Sequence, residues 1–413
     1  MSKISLKHSG GNVVSLNSPT NAPSSADVAF KLPNADGSDG QALVTDGLGN
    51  LSFSNVAATR NLIINGAMNV AQRATTSTTS GYGSVDRFQV LSTGVDEAPT
   101  HAQVGVATNV TPYTLGFRNA LKVTNGNQTS GAGASDFIKV QQNIEGQDIN
   151  RSGWNLTDPN SKLTISYWVK SSVAQTFYGR FRAFASSEYE YTYSFALSAD
   201  TWTKVTKTIP GNSNFSSLVD TNASGFFHIW QCFFGTDFTN NKTLDEWAVK
   251  DNANKSPDMT STWYTTNNAT FELTGVQLEV GSVATDFEHR SFGDELAKCQ
   301  RYFYQATKIG SSSEVTNMPI APGFYLSSND YRAIIDFPVE MRAAPTLSSN
   351  DDSGSFYIHT NATADTIDRL DSFQNTKRRS IVRNTAHASG TQGYFGMLHQ
   401  ETGDSNLNFS AEL

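Results

Sequence analysis

A dense series of short β-strands between Arg60 and His289 constrains this chain more than any other feature. The segment contains runs such as NALKVTN, KLTISYWVKSS, YEYTYSFAL and ATFELTGVQLEV, separated by clusters of Ser, Asn and Gly. We count about nine such strands, the first of them NLIINGAMNV, with no long helical period among them. Strands at this density predict a β-sandwich or jelly roll.

The composition of the 413 residues favours the same all-β class. Charged residues make up only 16% and aromatic residues 11%. Long soluble helices need far more Glu, Lys, Arg and Ala than this chain supplies.

One strand-to-helix junction, GVQLEVGSVATDFEHRSFGDELAKCQRYF, interrupts the β pattern. Its first half alternates, with Val276 and Leu278 on one side, which predicts a half-buried strand. Its second half predicts a helix from about residue 292 to 305, because apolar or small residues recur at helical spacing, at Phe292, Leu296, Cys299 and Phe303. Ser291 and Asp294 resemble a capping box at the start of this helix.

These patterns predict four segments. Residues 1–58 form an extended N-terminal segment, 59–289 the jelly roll, 290–306 the connecting helix, and 307–413 a smaller distal β domain with runs such as YRAIIDFPVEM and QGYFGMLHQ. The N-terminal segment has too few apolar residues to fold alone. We therefore expect a homotrimer in which copies share this segment, burying Phe30, Leu32, Leu43, Val44, Leu51 and Phe53.

Charge and hydropathy exclude several classes of partner. A net charge of −8, with a basic cluster only at residues 377–379, argues against nucleic acid as a partner. No apolar run approaches the ~18 residues of a membrane span. The first residues lack an apolar signal region, so we expect synthesis in the cytoplasm. Cys232 and Cys299 are too few for a disulfide framework, and both are expected to be buried thiols.

No familiar catalytic motif is visible, so we predict that the chain is not an enzyme. Glu188 and Glu190 share a strand face, as a glycosidase pair could, although exposed charges beside a turn are more ordinary. The loop NDDSGS (350–355) has oxygen ligands but lacks the EF-hand glutamate, so a polar turn is favoured over calcium. We expect no cofactor and no metal site that can be located, with a structural calcium ion left open, and His228 is interpreted as a hydrogen-bonded core residue.

The stretch FYGRFRAFASSEYEYTYSF predicts a hairpin with a candidate site. If Ser186 and Ser187 form a two-residue turn, Arg182 pairs with Tyr191, and paired residues face the same side. One face would then carry Tyr178, Arg180, Arg182, Phe184, Tyr189, Tyr191 and Tyr193. An aromatic face with a few donors suits sugar rings. A subunit interface has a similar composition, and a three-residue turn would reverse the assignment.

Several segments together resemble receptor-binding tail fibre proteins of tailed bacteriophages. They are RNLIINGAMNVAQR, SVDRF, the strand-to-helix junction, FPVEMRAAPT and the terminal FSAEL, while FKLPNADGSDGQALVTDGLGNLSF is similar to the virion-proximal part of such fibres. The middle of the chain also resembles jelly-roll carbohydrate-binding modules, in the order of LKV, LTISYWVK, TWTKVT and GVQLEVG.

The resemblance implies a trimeric virion protein that adsorbs to a host surface polysaccharide without cleaving it. Its N-terminal segment would contact other virion proteins. The alternatives are a virion adaptor or capsid-decorating spike whose sandwich only packs, and a depolymerase of capsule polysaccharide. If the hairpin is not the site, the distal domain around Tyr325, Tyr357 and Tyr394 is the next candidate.

Overall fold

The computed structural model describes residues 3–7, 10, 13–17, 31–33, 41–45, 50–55, 60–307, 317–349, 354–360, 363–401 and 405–413. The chain divides into two compact units, Met1–Thr59 and Arg60–Leu413. In the described part, no helix is long and apolar enough to span a membrane.

The first unit contains two antiparallel hairpins. Strand β1 (Lys3–Lys7) pairs with β2 (Val13–Asn17), and β3 (Gln41–Thr45) pairs with β4 (Leu51–Asn55). Within the described residues, large apolar side chains are exposed in this unit, namely Leu32, Leu43, Val44 and Phe53. Phe30, which we expected to be buried in this segment, lies outside the described residues.

The second unit begins with a β-sandwich. Its elements in chain order are β5 (Thr76–Ser77), β6 (Phe88–Thr93), β7 (Thr100–Gly105), α1 (Thr111–Thr114), β8 (Asn119–Thr124), β9 (Phe137–Glu145), α2 (Gly146–Asn150), β10 (Lys162–Ser171), β11 (Gln175–Phe184), β12 (Glu188–Leu197), β13 (Thr203–Pro210), a 3₁₀ turn (Ser213–Ser217), β14 (Ser224–Phe234), β15 (Trp247–Val249), α3 (Thr262–Thr265) and β16 (Thr270–Val280). Sheet A has the order β13-β10-β16-β8-β7-β5, and sheet B the order β15-β12-β11-β14-β9-β6.

The core lies between sheets A and B, because alternate side chains along each strand are apolar and point towards the other sheet. Ile165 and Val169 of sheet A and Phe181 and Trp230 of sheet B are fully buried in one cluster. Their neighbours along each strand point to the outer faces. The predicted all-β jelly-roll fold is confirmed.

The run NLIINGAMNV, which we predicted as the opening strand, is not a strand. Asn65 and Met68 have positive φ angles of 61° and 58°, which interrupt extended backbone. The run is nevertheless fixed against β16, because Leu62 N–H donates to Leu278 O at 2.9 Å and Val276 N–H donates to Gly66 O at 2.9 Å.

Strand β16 is buried on both faces, so the prediction of a half-buried strand is wrong. Val276 and Leu278 lie in the sandwich core, but Gln277 and Glu279 are also buried. The following segment covers their face: Thr285 Oγ donates to Glu279 at 2.6 Å, and Glu288 N–H donates to Gln277 at 2.8 Å.

The helix after β16, α4 (Phe292–Gln300), begins as predicted: Ser291 Oγ accepts from Asp294 N–H at 3.2 Å and donates to the Asp294 carboxylate at 2.7 Å. The predicted apolar stripe is only partly correct. Cys299 is buried, but Phe292 is 60% exposed, and Phe303 lies on the next strand.

The distal part of the unit has two further sheets. Its strands are β17 (Phe303–Gln305), β18 (Met318–Ser327), β19 (Asp330–Asp336), β20 (Thr346–Ser349), β21 (Phe356–His359), β22 (Ala364–Ile367), β23 (Asp371–Asn375), β24 (Arg379–Asn384), β25 (Phe395–Gln400) and β26 (Leu407–Ser410). Sheet C has the order β22-β21-β25-β18-β19-β24-β23, and sheet D the order β17-β26-β20. They share a second apolar cluster. The domain boundaries that we predicted within residues 59–413 stay predictions.

A buried ionic contact joins the distal part to the sandwich. Arg87, which is 1% exposed, forms an ion pair with Glu412 just beyond β26. The same guanidinium lies over the Tyr302 ring at 3.4 Å, and Arg73 pairs with Glu412 at 3.2 Å. Tyr302 also donates to Glu145 of β9 at 2.6 Å.

We expect the change Glu412→Ala to destabilise the protein by about 3–5 kcal/mol, because it leaves Arg87 charged and buried without a counter-charge. Unfolding of the purified protein in urea measures the effect. The control is Asp220→Ala, which removes an exposed pair with Arg151 and should cost ~1 kcal/mol or less. Equal shifts for the two variants would contradict this role for Glu412.

Candidate functional site

The β11–β12 hairpin has a three-residue loop, residues 185–187, so the predicted two-residue turn is wrong. The observed partners are Phe184 with Glu188, Arg182 with Glu190, and Phe181 with Tyr191. Every pair is displaced by one residue from the prediction. A displacement of one residue moves each side chain on one strand to the opposite face relative to the other strand.

The seven predicted site residues therefore do not share a face. The outer face of sheet B carries four of them: Tyr178, Arg180, Arg182 and Phe184. Tyr191 and Tyr193 belong to the sandwich core at 3% and 1% exposure, and Tyr189 packs against that core. The Tyr193 ring lies over Gly179, where an added Cβ would come within 2.3 Å of it.

The two arginines are paired with glutamates of their own hairpin. Arg180 forms an ion pair with Glu190, and Arg182 forms one with Glu188, which Lys250 also contacts at 2.7 Å. Burial tends to raise the pKa of Glu188, but hydrogen bonds from Lys250 and Arg182 outweigh it and hold that pKa below its usual value. Each carboxylate of this pair is thus engaged by cations.

Several other interpretations of single residues are confirmed. His228 is fully buried, and its Nε2 lies 2.9 Å from the Tyr193 hydroxyl. Burial lowers the pKa of His228 well below its usual value, so the ring is neutral at pH 7. Both cysteines are free and buried.

The predictions on metals and on the distal tyrosines have mixed outcomes. Residues 350–353 of the loop considered for calcium lie outside the described residues, and elsewhere in the described part no cluster of His, Cys, Asp and Glu suits a metal ion. In the distal part, Tyr325 is buried and donates to Asp365 at 2.8 Å, whereas Tyr394 is 55% exposed.

A cleft of ≈ 260 Å³ lies on the outer face of sheet A. Ser166 and the half-buried Trp168 of β10 form its floor, and Lys204 of β13 lies at one side. The segment after β16 forms the opposite wall. The remaining lining residues are Leu115, Phe117, Gly275, Thr285, Asp286, Phe287 and His289.

Three rings hold the wall of this Trp168 cleft in place. Phe117 lies 4.9 Å from Phe287 and 5.2 Å from His289 between ring centroids. His289 Nε2 lies 2.9 Å from the Leu115 carbonyl, to which it can donate. Gly275 makes room for Phe117: it has a φ of +63°, and a Cβ there would lie 2.6 Å from the Phe117 ring. The wall is therefore built before any ligand arrives.

Three polar groups of the cleft are free to bind a ligand, whereas Thr285 and His289 are already hydrogen-bonded. Among the described residues, the Trp168 indole N–H, the Lys204 ammonium and the Asp286 carboxylate have no hydrogen-bond or ion-pair partner. The Asp286 main chain is held, however, because its carbonyl accepts from Arg60 at 3.2 Å. An indole face with two donors and one carboxylate acceptor matches a sugar ring, which stacks through its C–H face and bonds through its hydroxyls.

Sequence reasoning missed this cleft. Trp168 was visible as the outward residue of KLTISYWVKSS, and an outward tryptophan was the one available signal. The other walls come from residues 115–117 and 285–289, which only the folded chain brings beside β10.

Comparisons with known proteins give structural likenesses only. No protein-family profile and no curated protein sequence matches the chain. Among solved structures, the enzymatically active domain of tailspike protein 4 from bacteriophage CBA120 is similar, with 9% identity and a TM-score of 0.30 over 54% of this chain and 21% of that one. The chain thus spans about a fifth of the length of that structure.

Two carbohydrate-binding domains are also similar. The N-terminal cellulose-binding domain of Cellulomonas fimi β-1,4-glucanase C has 15% identity and a TM-score of 0.24, over 52% of this chain and 100% of that one. The family 11 carbohydrate-binding module of Clostridium thermocellum has 11% identity and a TM-score of 0.25, over 50% and 96%.

The change Gly275→Ala should destabilise the protein and disturb the cleft, because the new Cβ would collide with Phe117. The collision should cost about 1–3 kcal/mol, in addition to the backbone cost of a left-handed alanine. The control is Gly131→Ala, whose φ is +80° but whose Cβ would meet no atom within 4 Å. Thermal unfolding compares the two variants, and a similar loss in both would argue against a fixed Phe117.

Proposed function

We propose that the chain is a non-catalytic glycan-recognition protein that binds sugar in the Trp168 cleft. The single observation that carries this proposal is the half-buried Trp168 with free polar groups around it. The indole provides a stacking surface, Lys204 can donate to hydroxyl oxygens, and the Asp286 carboxylate can accept from hydroxyls.

Binding without cleavage fits the charges of the site. Glycoside hydrolysis ordinarily uses two carboxyl groups about 5–9.5 Å apart across the scissile bond. Asp286 is the one carboxylate among the residues that line the cleft. The hairpin glutamates, Glu188 and Glu190, are held by cations and lie on the other sheet.

The size of the cleft indicates how much of a glycan it takes. At ≈ 260 Å³ it falls just below the usual range of about 300–1,000 Å³ for small-ligand pockets. A site of this size holds one or two sugar rings. It therefore suits a terminal unit or a side branch of a surface polysaccharide.

In the virion, we propose that the chain is a phage tail fibre that adsorbs to a host polysaccharide. The support is the combined resemblance of the segments quoted above to receptor-binding fibres, together with the glycan-compatible cleft. A virion adaptor or spike would bind no glycan, and a depolymerase would shorten it.

The change Trp168→Ala should weaken glycan binding about five- to a hundredfold, if stacking contributes ~1–3 kcal/mol as it does for bases on aromatic side chains. Binding to purified host surface polysaccharide is measured by biolayer interferometry, with the polymer length checked by gel filtration. Trp202→Ala is the control, since Trp202 is also half-buried but does not line the cleft. Unchanged binding by the Trp168 variant would contradict the site, and a shortened polymer would favour the enzyme.

The proposed fibre is a homotrimer whose copies cover the exposed apolar side chains of the first unit, Leu32, Leu43, Val44 and Phe53. Light scattering of the full chain should give three times 44.8 kDa. The double change Leu43→Ser and Phe53→Ser should reduce that mass towards one chain. A wild-type protein that is monomeric at micromolar concentration would rule the trimer out.

A further inference from the structure

A group of cations on the outer face of sheet B is only partly compensated. Lys139 of β9, Arg180 of β11 and Lys255 lie around three phenyl rings, those of Phe137, Phe234 and Phe238. Lys255 is 4.1 Å from the Phe238 centroid, and Lys139 is 5.8 Å from the Phe137 centroid. Among the described residues, Glu190 pairs with Arg180, but neither lysine has an ion-pair partner.

The cost of keeping these cations charged lowers the pKa values of both lysines. Burial, followed by the charges of Arg180 and Lys255, lowers the pKa of Lys139 to about 7. Burial and then Arg180 lower the pKa of Lys255 to about 8. Cations placed this way repel one another in a medium that solvates them poorly.

An unpaired amide lies beside the same lysine. Gln231 of β14 is the cross-strand neighbour of Lys139 on one side and of Tyr178 on the other. It is fully buried, and neither its amide nitrogen nor its amide oxygen has a hydrogen-bond partner. Arg180 Nε is unpaired as well. Buried polar groups normally have partners, so the two unpaired nitrogens, Gln231 Nε2 and Arg180 Nε, point to a missing acceptor.

A chain of hydrogen bonds along the outer face of β9 orients Lys139. Its ammonium donates to Gln141 at 2.8 Å, Gln141 donates to Asn143 at 2.7 Å, and Asn143 donates to the Leu413 carbonyl at 2.8 Å. Lys139 and Lys255 are half-buried, so part of each side chain faces solvent.

We propose that Lys139, Lys255, Arg180 and Gln231, the cationic pocket, bind an oxyanion carried by an acidic sugar of the glycan. This inference adds a second site to the proposed function and rests on it only for the kind of ligand, a glycan. A carboxylate, sulfate or phosphate of the glycan would pair with the two lysines, which lack an ion-pair partner, and accept from the unpaired Gln231 and Arg180 nitrogens. The rings of Phe137, Phe234 and Phe238 exclude water and strengthen those contacts.

The proposal makes binding depend on pH. The bound anion favours protonated Lys139, so binding takes up a proton where that lysine is partly neutral, and affinity falls as pH rises from about 7 to 9. The charged groups that act on Lys139 and Lys255 come from β11, β12 and the 250–255 segment: Arg180, Arg182, Glu190, Lys250 and Lys255. Arg182 and Lys250 are already paired with Glu188.

Titration calorimetry of the full chain with tetragalacturonate, a neutral galactose tetrasaccharide and inorganic phosphate tests the proposal. We expect tetragalacturonate to bind at least tenfold more tightly than either other ligand at pH 6.5, and to weaken about tenfold by pH 8.5. Lys139→Gln should lower its affinity ten- to a hundredfold and reduce the pH dependence to the part that Lys255 contributes. Lys162→Gln, a lysine on sheet A held by the Pro159 carbonyl, is the matched control and should change neither.

Gln231→Leu separates binding from folding. If the amide is unpaired in the free protein, leucine should raise the melting temperature while it lowers the affinity for tetragalacturonate. Phosphate binding as tightly as tetragalacturonate would overturn the sugar part of the proposal. Loss of self-association in Lys139→Gln would overturn it altogether, by assigning the cations to a second copy.

The two sites fail independently. Trp168→Ala should leave Lys139-dependent binding of tetragalacturonate unchanged. If that binding persists while the Trp168 variant still holds host polysaccharide fully, the Trp168 cleft is wrong and the cationic pocket stands. If Trp168→Ala abolishes polysaccharide binding but tetragalacturonate does not bind, only the cationic pocket is wrong.

Discussion

The buried ion pair between Arg87 and Glu412 sets how the described second unit is put together. A guanidinium that is 1% exposed cannot remain without a counter-charge, and the counter-charge comes from the far end of the chain. To supply it, β26 must run in sheet D beside β17, which follows directly from helix α4. The distal sheets are thereby tied to Arg87, directly before β6 of the sandwich, and Tyr302 and Glu145 extend the contact to β9.

The same requirement for compensation separates the two outer faces of the sandwich. On sheet B, Arg180 pairs with Glu190 and Arg182 pairs with Glu188. These charges are therefore neutralised between the two strands of the hairpin. Among the described residues, Lys139 and Lys255 have no ion-pair partner, and the pKa values of both are lowered. On sheet A, the free groups surround an aromatic surface instead. The two faces therefore suit different parts of a glycan, one a neutral ring and the other an acidic group.

The sequence predicted those features that depend on residues close together in the chain, and it missed those that depend on contacts between distant segments. Alternation within each strand predicted the sandwich, and the Ser291–Asp294 spacing predicted the start of α4. The prediction of the hairpin site failed because the loop has three residues and not two. The extra residue places Tyr191 and Tyr193 in the core. Strand β16 looked half-buried because the cover over Gln277 comes from a segment without periodicity. The walls of the Trp168 cleft come from three segments that are distant in the sequence. A local sequence pattern cannot predict that these segments lie side by side in the fold.

The positions of the two proposed sites bear on how such a protein would hold a polymer. They lie on the outer faces of sheets A and B, and two packed sheets are separated by about 10 Å before their outer side chains are added. One short oligosaccharide cannot reach both faces, so each site would hold a different stretch of the polymer. Two such sites on one sandwich would raise the effective concentration of the second stretch once the first is bound. Copies sharing the first unit would multiply the same effect, so tight adsorption needs no single deep pocket.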